Sequence, residues 1–398
     1  MVYLATVNNA CYNIRMIKNL RQLLKEEDRI LAPYAMKSSA SLGRVHEEPE
    51  DPYRLPFQRD RDRIIHCRSF RRLQAKTQVL VSYYGDHYRD RLTHSMEVSQ
   101  IARDICRNLG LNEDLAECIS LAHDLGHPPF GHGGQEALDS AMKEHGLHFE
   151  HNEQSHRIIE KLEKIYPGFE GLNLSKEVLD GLLKHNPHKY KTYTKFVTSP
   201  HLEAQVMDLS DEIAYINHDV DDGIRADIIS LSGIGKFELW KDAEKVVQKK
   251  YGKLEVGKDA DSKRIYVSRI VSKMISLMIG DLLDTTSENL QKNKINSLDA
   301  VRTHKGKLVS FSEPMMAKQK ELRAFLMKKF YLNPKVEKRI SHGRRVIKKL
   351  FSHYLLHPAL MPAQYYNVII GGERPEIVIK DYIAGMTDPF AEVAAKDL

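Results

Sequence analysis

At 398 residues, 42% of them hydrophobic and 29% charged, the chain has a globular composition and enough length for two or three domains, or for one large domain with an appendage. No apolar run approaches the roughly 18 residues a membrane span needs; the N-terminal MVYLATVNNACYNIRMIKNL also lacks an apolar core followed by a cleavage site, so a cytoplasmic location is expected. The formal net charge of +6 suits an anionic ligand such as a nucleotide without naming one, and four scattered cysteines (Cys11, Cys67, Cys106, Cys118) without CxxC spacing read as reduced thiols, not a disulfide frame or zinc site.

Residues 1–30 read as a helical leader. The stretch MKSSASLGRVHEEPEDPYRLPF, rich in Ser, Pro and Glu, follows as a loop. Gln58–Arg72 is dense in arginine, with Ile64, Ile65, Phe70 and Leu73 at near-helical spacing, which predicts a basic helix with one buried side. Residues 78–90 (QVLVSYYGDHYRD) carry β-branched and aromatic residues around Gly85 and predict a strand or small β-hairpin, with Asp86 and His87 at its tip. From there to 230 the pattern is helical. Thr93 is the expected N-cap, with Glu97 near a capping-box position, for a helix whose apolar stripe is Val98, Ile101, Ile105 and Leu109, ended by Gly110. A second helix over 113–125 turns Leu115, Ile119 and Ala122 inward and is broken by GHPPFGHGG. Further helices are expected over 134–145, 152–165, 175–185 and 202–222. Beyond 231 the chain stays helical, with an exposed loop over 252–265, an amphipathic segment over 266–291 and two basic helices between 313 and 352. The expected fold is all-α, divided into a leader and loop (1–57), a core (58–230) and a helical C-terminal region (231–398).

Nine of the 19 histidines fall between His87 and His156. His94 lies four residues before Val98, and His123 four after Ile119, so both face inward. Either alone reads as a satisfied core histidine. An adjacent His123-Asp124 pair beside a Gly-Pro-Pro loop shifts the balance, because a buried carboxylate without a cation is costly. Over 202–222, Leu202, Val206, Leu209, Ile213, Ile216 and Val220 make an apolar face. Asp211, Tyr215 and Asp219 recur every four residues as a separate polar stripe, with His218 and Asp222 beside it. That stripe fits a solvated acidic face as well as a site wall. Two imidazoles and two carboxylates would suit a borderline or hard divalent ion: Mg, Mn, Co, Ni, Fe or Zn.

In order, RLTHSMEVSQIARDI, LAHDLGHPPFGH, FEHNEQS and DLSDEIAYINHDVDDGI resemble the HD-domain deoxynucleoside triphosphate triphosphohydrolases, the dGTPase-like family. LAPYA, FQRDRDRIIHCRSFRRLQAKTQV and DYIAGMTDPFA resemble it too, and together they span residues 31–391. A bare HD pair is a weak signal; the combined string is specific. The resemblance implies an HD-domain helical core and cleavage of a dNTP, dGTP among them, to deoxynucleoside and tripolyphosphate. It implies His94, His123, Asp124 and Asp211 as metal ligands, His132 near the scissile bond and His151 as a second catalytic-site histidine. It implies Arg91 and Lys184 on the triphosphate, Gln74 and Asp219 on the sugar 3′-hydroxyl, and Tyr215 against the deoxyribose, where a 2′-hydroxyl would clash. A homo-oligomer such as a hexamer, and a dNTP activator, are implied as well. His127 is expected only to brace its turn; His185 and His188 are expected to be structural or at the surface.

The chain departs from the family at Gln135, where an acidic residue usually stands three positions after the FGH histidine. Gln135 shares a face with His132 and can orient it or a water, but cannot hold a proton. Leu42, in SLGR, replaces a frequent arginine. Two other readings stay open: an HD phosphomonoesterase or phosphodiesterase, and a nucleotide- or nucleic-acid-binding regulator using the basic segments 59–72 and 318–349.

Overall fold

The computed structural model describes residues 17–78, 89–183, 199–252, 254 and 260–398, and among these the protein is helical with no named strand. The hairpin expectation falls largely on residues 79–88, outside the described residues. Its flanks, Thr77 and Asp90, meet through a single antiparallel bridge. The leader expected over 1–30 is helical over α1 (Leu20–Ile30), while residues 1–16 lie outside the described set. The basic run is two helices, α2 (Pro56–His66) and α3 (Arg68–Arg72). The chain breaks at Cys67, whose sulfur accepts from the Phe70 N–H as the cap of α3.

α4 (Arg91–Leu109) begins one turn before the Thr93 cap that the sequence suggests. Asp90 is the cap: its carboxylate accepts the Thr93 N–H at 2.8 Å, and the Thr93 hydroxyl accepts the Asp90 N–H at 3.1 Å. The ionised acid is the stronger acceptor for the exposed N–H groups of a first turn, a cap contributing about 1 kcal/mol. Gly110, with φ 67°, ends α4 as its pattern predicts. α5 (Glu113–Ala122), α6 (Gly131–Lys143), α7 (His151–Arg157), α8 (Lys176–Leu182) and α9 (Leu202–Arg225) follow, and α7 widens into a π-turn over Ile158–Leu162. The C-terminal region holds α10 (Leu231–Ile234), α11 (Glu238–Tyr251), α12 (Ala260–Lys292), α13 (Leu298–Thr303) and α14 (Glu313–Leu326). It continues with α15 (Pro334–Leu356), α16 (Ala363–Ile370), α17 (Pro375–Ala384) and α18 (Asp388–Lys396). α12 starts at Ala260, so the exposed loop expected over 252–265 gives way to helix in its second half.

Two apolar cores set the position of the site. In the larger, Ile105 of α4, Ile119 of α5, Ile213 and Val220 of α9, and Met274 and Met278 of α12 are fully enclosed. The smaller joins Leu138 and Met142 of α6 to Ile347, Leu350 and Phe351 of α15 and to Ile379 and Ile383 of α17. Each such side chain contributes roughly 1.5–3 kcal/mol relative to exposure. The helix that carries His132 and Gln135 is therefore held by the C-terminal region. The described cysteines, Cys67, Cys106 and Cys118, are free and buried. Among the described residues, no helix is long and apolar enough to cross a membrane.

Candidate functional site

α4, α5 and α9 bring three segments of the chain to one point. The ligand atoms of His94, His123 and Asp124 lie within 4.8 Å of one another. Asp211 Oδ1 completes the group, 3.0 Å from His94 Nε2 and 3.8 Å from His123 Nε2. The His123 ring sets its own tautomer. Its Nδ1 is 2.6 Å from the Ser120 carbonyl, which only accepts, so Nδ1 carries the proton. Nε2 is then a bare lone pair. It is buried without a hydrogen-bond partner and sits 3.2 Å from Asp124 Oδ1. An orphaned nitrogen lone pair facing two carboxylates is stable only with a cation between them. Two nitrogen and two oxygen donors match a borderline or hard divalent ion, and the cluster fits one.

The electrostatics agree. Burial opposes charge on Asp124, but its surroundings, with the buried Arg91 guanidinium against Oδ2, outweigh it and hold its carboxyl well below the usual carboxylate range. Arg91 is buried and pairs with Asp124 Oδ2 at 2.7 Å. Burial lowers the His94 pKa, yet the Asp211 carboxylate beside Nε2, which a proton or a metal ion there would satisfy, more than offsets this and raises it.

On the far side of Asp124 lies a second group of imidazoles. His127 Nε2 is 3.3 Å from Asp124 Oδ1, and the His127 ring stacks on His151 at 3.9 Å. His132 meets His127 edge-on at 6.4 Å. Gln135 reaches His151 rather than His132: its Oε1 is 2.9 Å from His151 Nδ1, with Glu150 Oε1 at 3.1 Å from the same nitrogen. Burial pushes the His151 pKa down to about 4 and lowers that of His132, so both are neutral near pH 7 in the unliganded protein.

Further along α9, Tyr215 stacks on Tyr331 with centroids 6.0 Å apart, and the Tyr331 hydroxyl donates to Asp219. Asp219 is buried and its pKa is raised well above the ordinary value, by burial and then by the Asp222 charge. The α9 stripe thus runs from a partly exposed Asp211 to a buried Asp219. Gln74 is exposed on the 3₁₀ turn Leu73–Ala75, directly after α3. Lys184, with His185 and His188, lies outside the described residues.

Several participants carry little sequence signal. His127 sits beside Asp124 and stacks on His151. Tyr331 arrives from a π-turn over Met327–Tyr331, more than a hundred residues after Asp219. Lys76 is fully buried and its ammonium donates to the carbonyls of His127 and Ala384, tying α17 to the site loop; burial lowers its pKa to about 7. Asp388 accepts from Thr77 and, at 3.0 Å, from the Phe130 N–H. Phe130 has φ 65°, strained for a non-glycine residue, and its carbonyl opens the helix of His132.

Residues 91–216 match the HD domain family, and residues 309–397 match the phosphohydrolase-associated domain family. A deoxyguanosinetriphosphate triphosphohydrolase-like protein of Geobacter metallireducens is 44% identical, with 92% of this chain and 94% of that protein covered. Proteins of the same description from Geobacter sulfurreducens and Leptospira interrogans are 44% and 41% identical over 91% and 93% of this chain, and over 93% and 96% of their own length. The chain therefore belongs to the deoxyguanosinetriphosphate triphosphohydrolase-like family of HD-domain proteins.

Proposed function

We propose that the protein is a metal-dependent dNTP triphosphohydrolase that releases deoxynucleoside and intact tripolyphosphate. The observation that carries this reading is the orphaned His123 Nε2 among His94, Asp124 and Asp211. Those four residues would hold a divalent ion, which supplies charge neutralisation at phosphate and a more acidic bound water. Arg91 and Lys184 would serve the triphosphate. Gln74 and Asp219 would meet the sugar 3′-hydroxyl, and Tyr215 would close against the deoxyribose. Burial raises the Asp219 pKa, which favours the protonated carboxyl, and that form can donate to a hydroxyl as well as accept from one. His132 and His151 would manage the proton at the departing sugar oxygen. Both are neutral without ligand, and a polyphosphate beside them would favour their charged forms.

The test is tripolyphosphate release from each dNTP, singly and mixed, in Mg²⁺, Mn²⁺ or Co²⁺. Orthophosphate from nucleoside monophosphates would replace this reading with a phosphomonoesterase. Activity only in dNTP mixtures would support a dNTP activator, and the same purified sample gives the oligomeric state.

Gln135→Glu places a carboxylate beside His151 Nδ1, where the present amide is 2.9 Å away. A carboxylate there favours the imidazolium and raises the His151 pKa from about 4. The expected result is roughly a tenfold rise in turnover near pH 7, with the optimum moved to higher pH. An unchanged rate and pH profile would show that residue 135 does not limit catalysis.

A further inference from the structure

Behind His94, on the side away from Asp211, lies a run of hydrogen-bonding groups that the proposed chemistry does not use. His94 Nδ1 is 3.3 Å from His218 Nδ1, and the two rings meet edge-on at 84° with centroids 5.4 Å apart. The other nitrogen of His218, Nε2, meets Glu97. Glu97 is in turn 3.1 Å from Arg89 Nε, and Arg89 pairs with Asp221 at 3.0 Å and Asp222 at 2.8 Å. His218 is buried in α9, whereas Glu97 is on the partly exposed side of α4.

The direction of this run follows from its end. A carboxylate only accepts, so His218 Nε2 carries a proton. With that one proton placed, a neutral His218 leaves Nδ1 bare to accept from His94 Nδ1–H. His94 then has its single proton on Nδ1 and a bare Nε2, which faces Asp211 at 3.0 Å. A nitrogen lone pair and a carboxylate oxygen at that distance repel unless a cation joins them. His123 reaches the same state by a different route, through the Ser120 carbonyl.

We propose that His218 and Glu97 are positioning residues for the metal centre: they fix the Nδ1–H tautomer and the ring orientation of His94, and so set the affinity of the site for a divalent ion. This rests on the metal reading above, but not on the identity of the substrate. Residues that orient a metal-bound histidine typically change metal affinity by about 10- to 100-fold when lost.

The experiment measures binding of Mn²⁺ alone to the metal-stripped full chain, with free Mn²⁺ followed by electron paramagnetic resonance and no nucleotide present. His218→Leu removes both hydrogen bonds at similar bulk and is expected to weaken binding about 10- to 100-fold. His218→Gln offers an accepting oxygen and a donating nitrogen in nearly the same places and is expected to stay within about threefold of the wild type. Glu97→Ala, on the partly exposed side of α4, is expected to weaken binding about tenfold, and it decides the matter if His218→Leu does not fold. Wild-type affinity in His218→Leu, or in Glu97→Ala should that variant have to decide, overturns the proposal. So does an equal loss in His218→Gln, which would mean that the imidazole only fills space. Absence of Mn²⁺ binding in the wild type would remove the metal centre and this support with it. Tight Mn²⁺ binding without dNTP cleavage would sink the substrate reading and leave the support standing.

Discussion

Asp124→Asn is expected to cut tripolyphosphate release by on the order of a thousandfold, and to lower the melting temperature of the metal-free protein. One side chain carries both effects. Its Oδ1 faces His123 Nε2, where the ion is proposed to sit, and also lies 3.3 Å from His127 Nε2, while its Oδ2 pairs with buried Arg91 at 2.7 Å. A metal's electrostatic contribution of several kcal/mol accounts for the loss of rate, about 1.4 kcal/mol being a factor of ten. Removing one partner of a buried ion pair leaves the other charge uncompensated, at about 3–5 kcal/mol. The pH dependence has a definite sign. The folded carboxyl titrates well below its ordinary value. Its stabilising effect is therefore in place above about pH 4, the unfolded pKa, and is lost as pH falls through the lower folded value. The gap in melting temperature between wild type and variant is expected to be full at neutral pH and to close in strong acid. Asp211→Asn separates the two effects. Asp211 keeps 35% of its side chain exposed, so this variant is expected to lose Mn²⁺ affinity and turnover while melting near the wild-type temperature. Wild-type turnover in Asp124→Asn would refute the ligand assignment.

The parts of this site that were legible in sequence are those fixed by local periodicity. His94 and His123 continue apolar stripes on α4 and α5, and both are buried at the cluster. Asp211 could equally have belonged to a solvated face. What decides it is the packing of α9 against α4, which no single stretch of sequence encodes. The supporting residues were not legible because they act across long separations. Glu97 and His218 meet from α4 and α9. Tyr331 reaches Asp219 only because α14 ends in a π-turn, and a π-turn leaves no compositional mark. Gln135 reads as sharing a face with His132, but its amide meets His151 instead. Helical geometry aims it toward the interior, and the approach of α7 decides that His151, not His132, is there. Thr93 was misread as a cap because the capping pattern is reciprocal: both members of the pair are cap-forming residues, and their order is settled only by where the first turn begins.

That approach of α7 depends on Gly126, and Gly126→Ala is expected to be strongly damaging although it lies outside the ligand set. A Cβ on Gly126 would stand 2.2 Å from the His151 carbonyl oxygen, 2.2 Å from the Ser155 backbone nitrogen and 2.7 Å from the Gln154 carbonyl carbon. All three are backbone atoms, so no side-chain rotation relieves the clash and α7 has to retreat as a unit. Ser155 Oγ now accepts the Gly126 N–H at 2.8 Å and donates to the His123 carbonyl at 2.8 Å, and both bonds lengthen as the helix moves. The retreat also carries His151 off its stack on His127. Forced overpacking of this kind costs about 3 kcal/mol, and a displacement of about 1 Å in a catalytic group lowers turnover about a hundredfold. His94, His123, Asp124 and Asp211 stand on or directly beside α4, α5 and α9 rather than on α7, so Mn²⁺ affinity is expected to change only a few-fold. Gly126→Ala is therefore expected to bind Mn²⁺, melt at a lower temperature and turn over slowly. Loss of Mn²⁺ binding in a folded Gly126→Ala protein would mean that α7 supports the ligands themselves. Unimpaired turnover would mean that His151 does not need its stacked position.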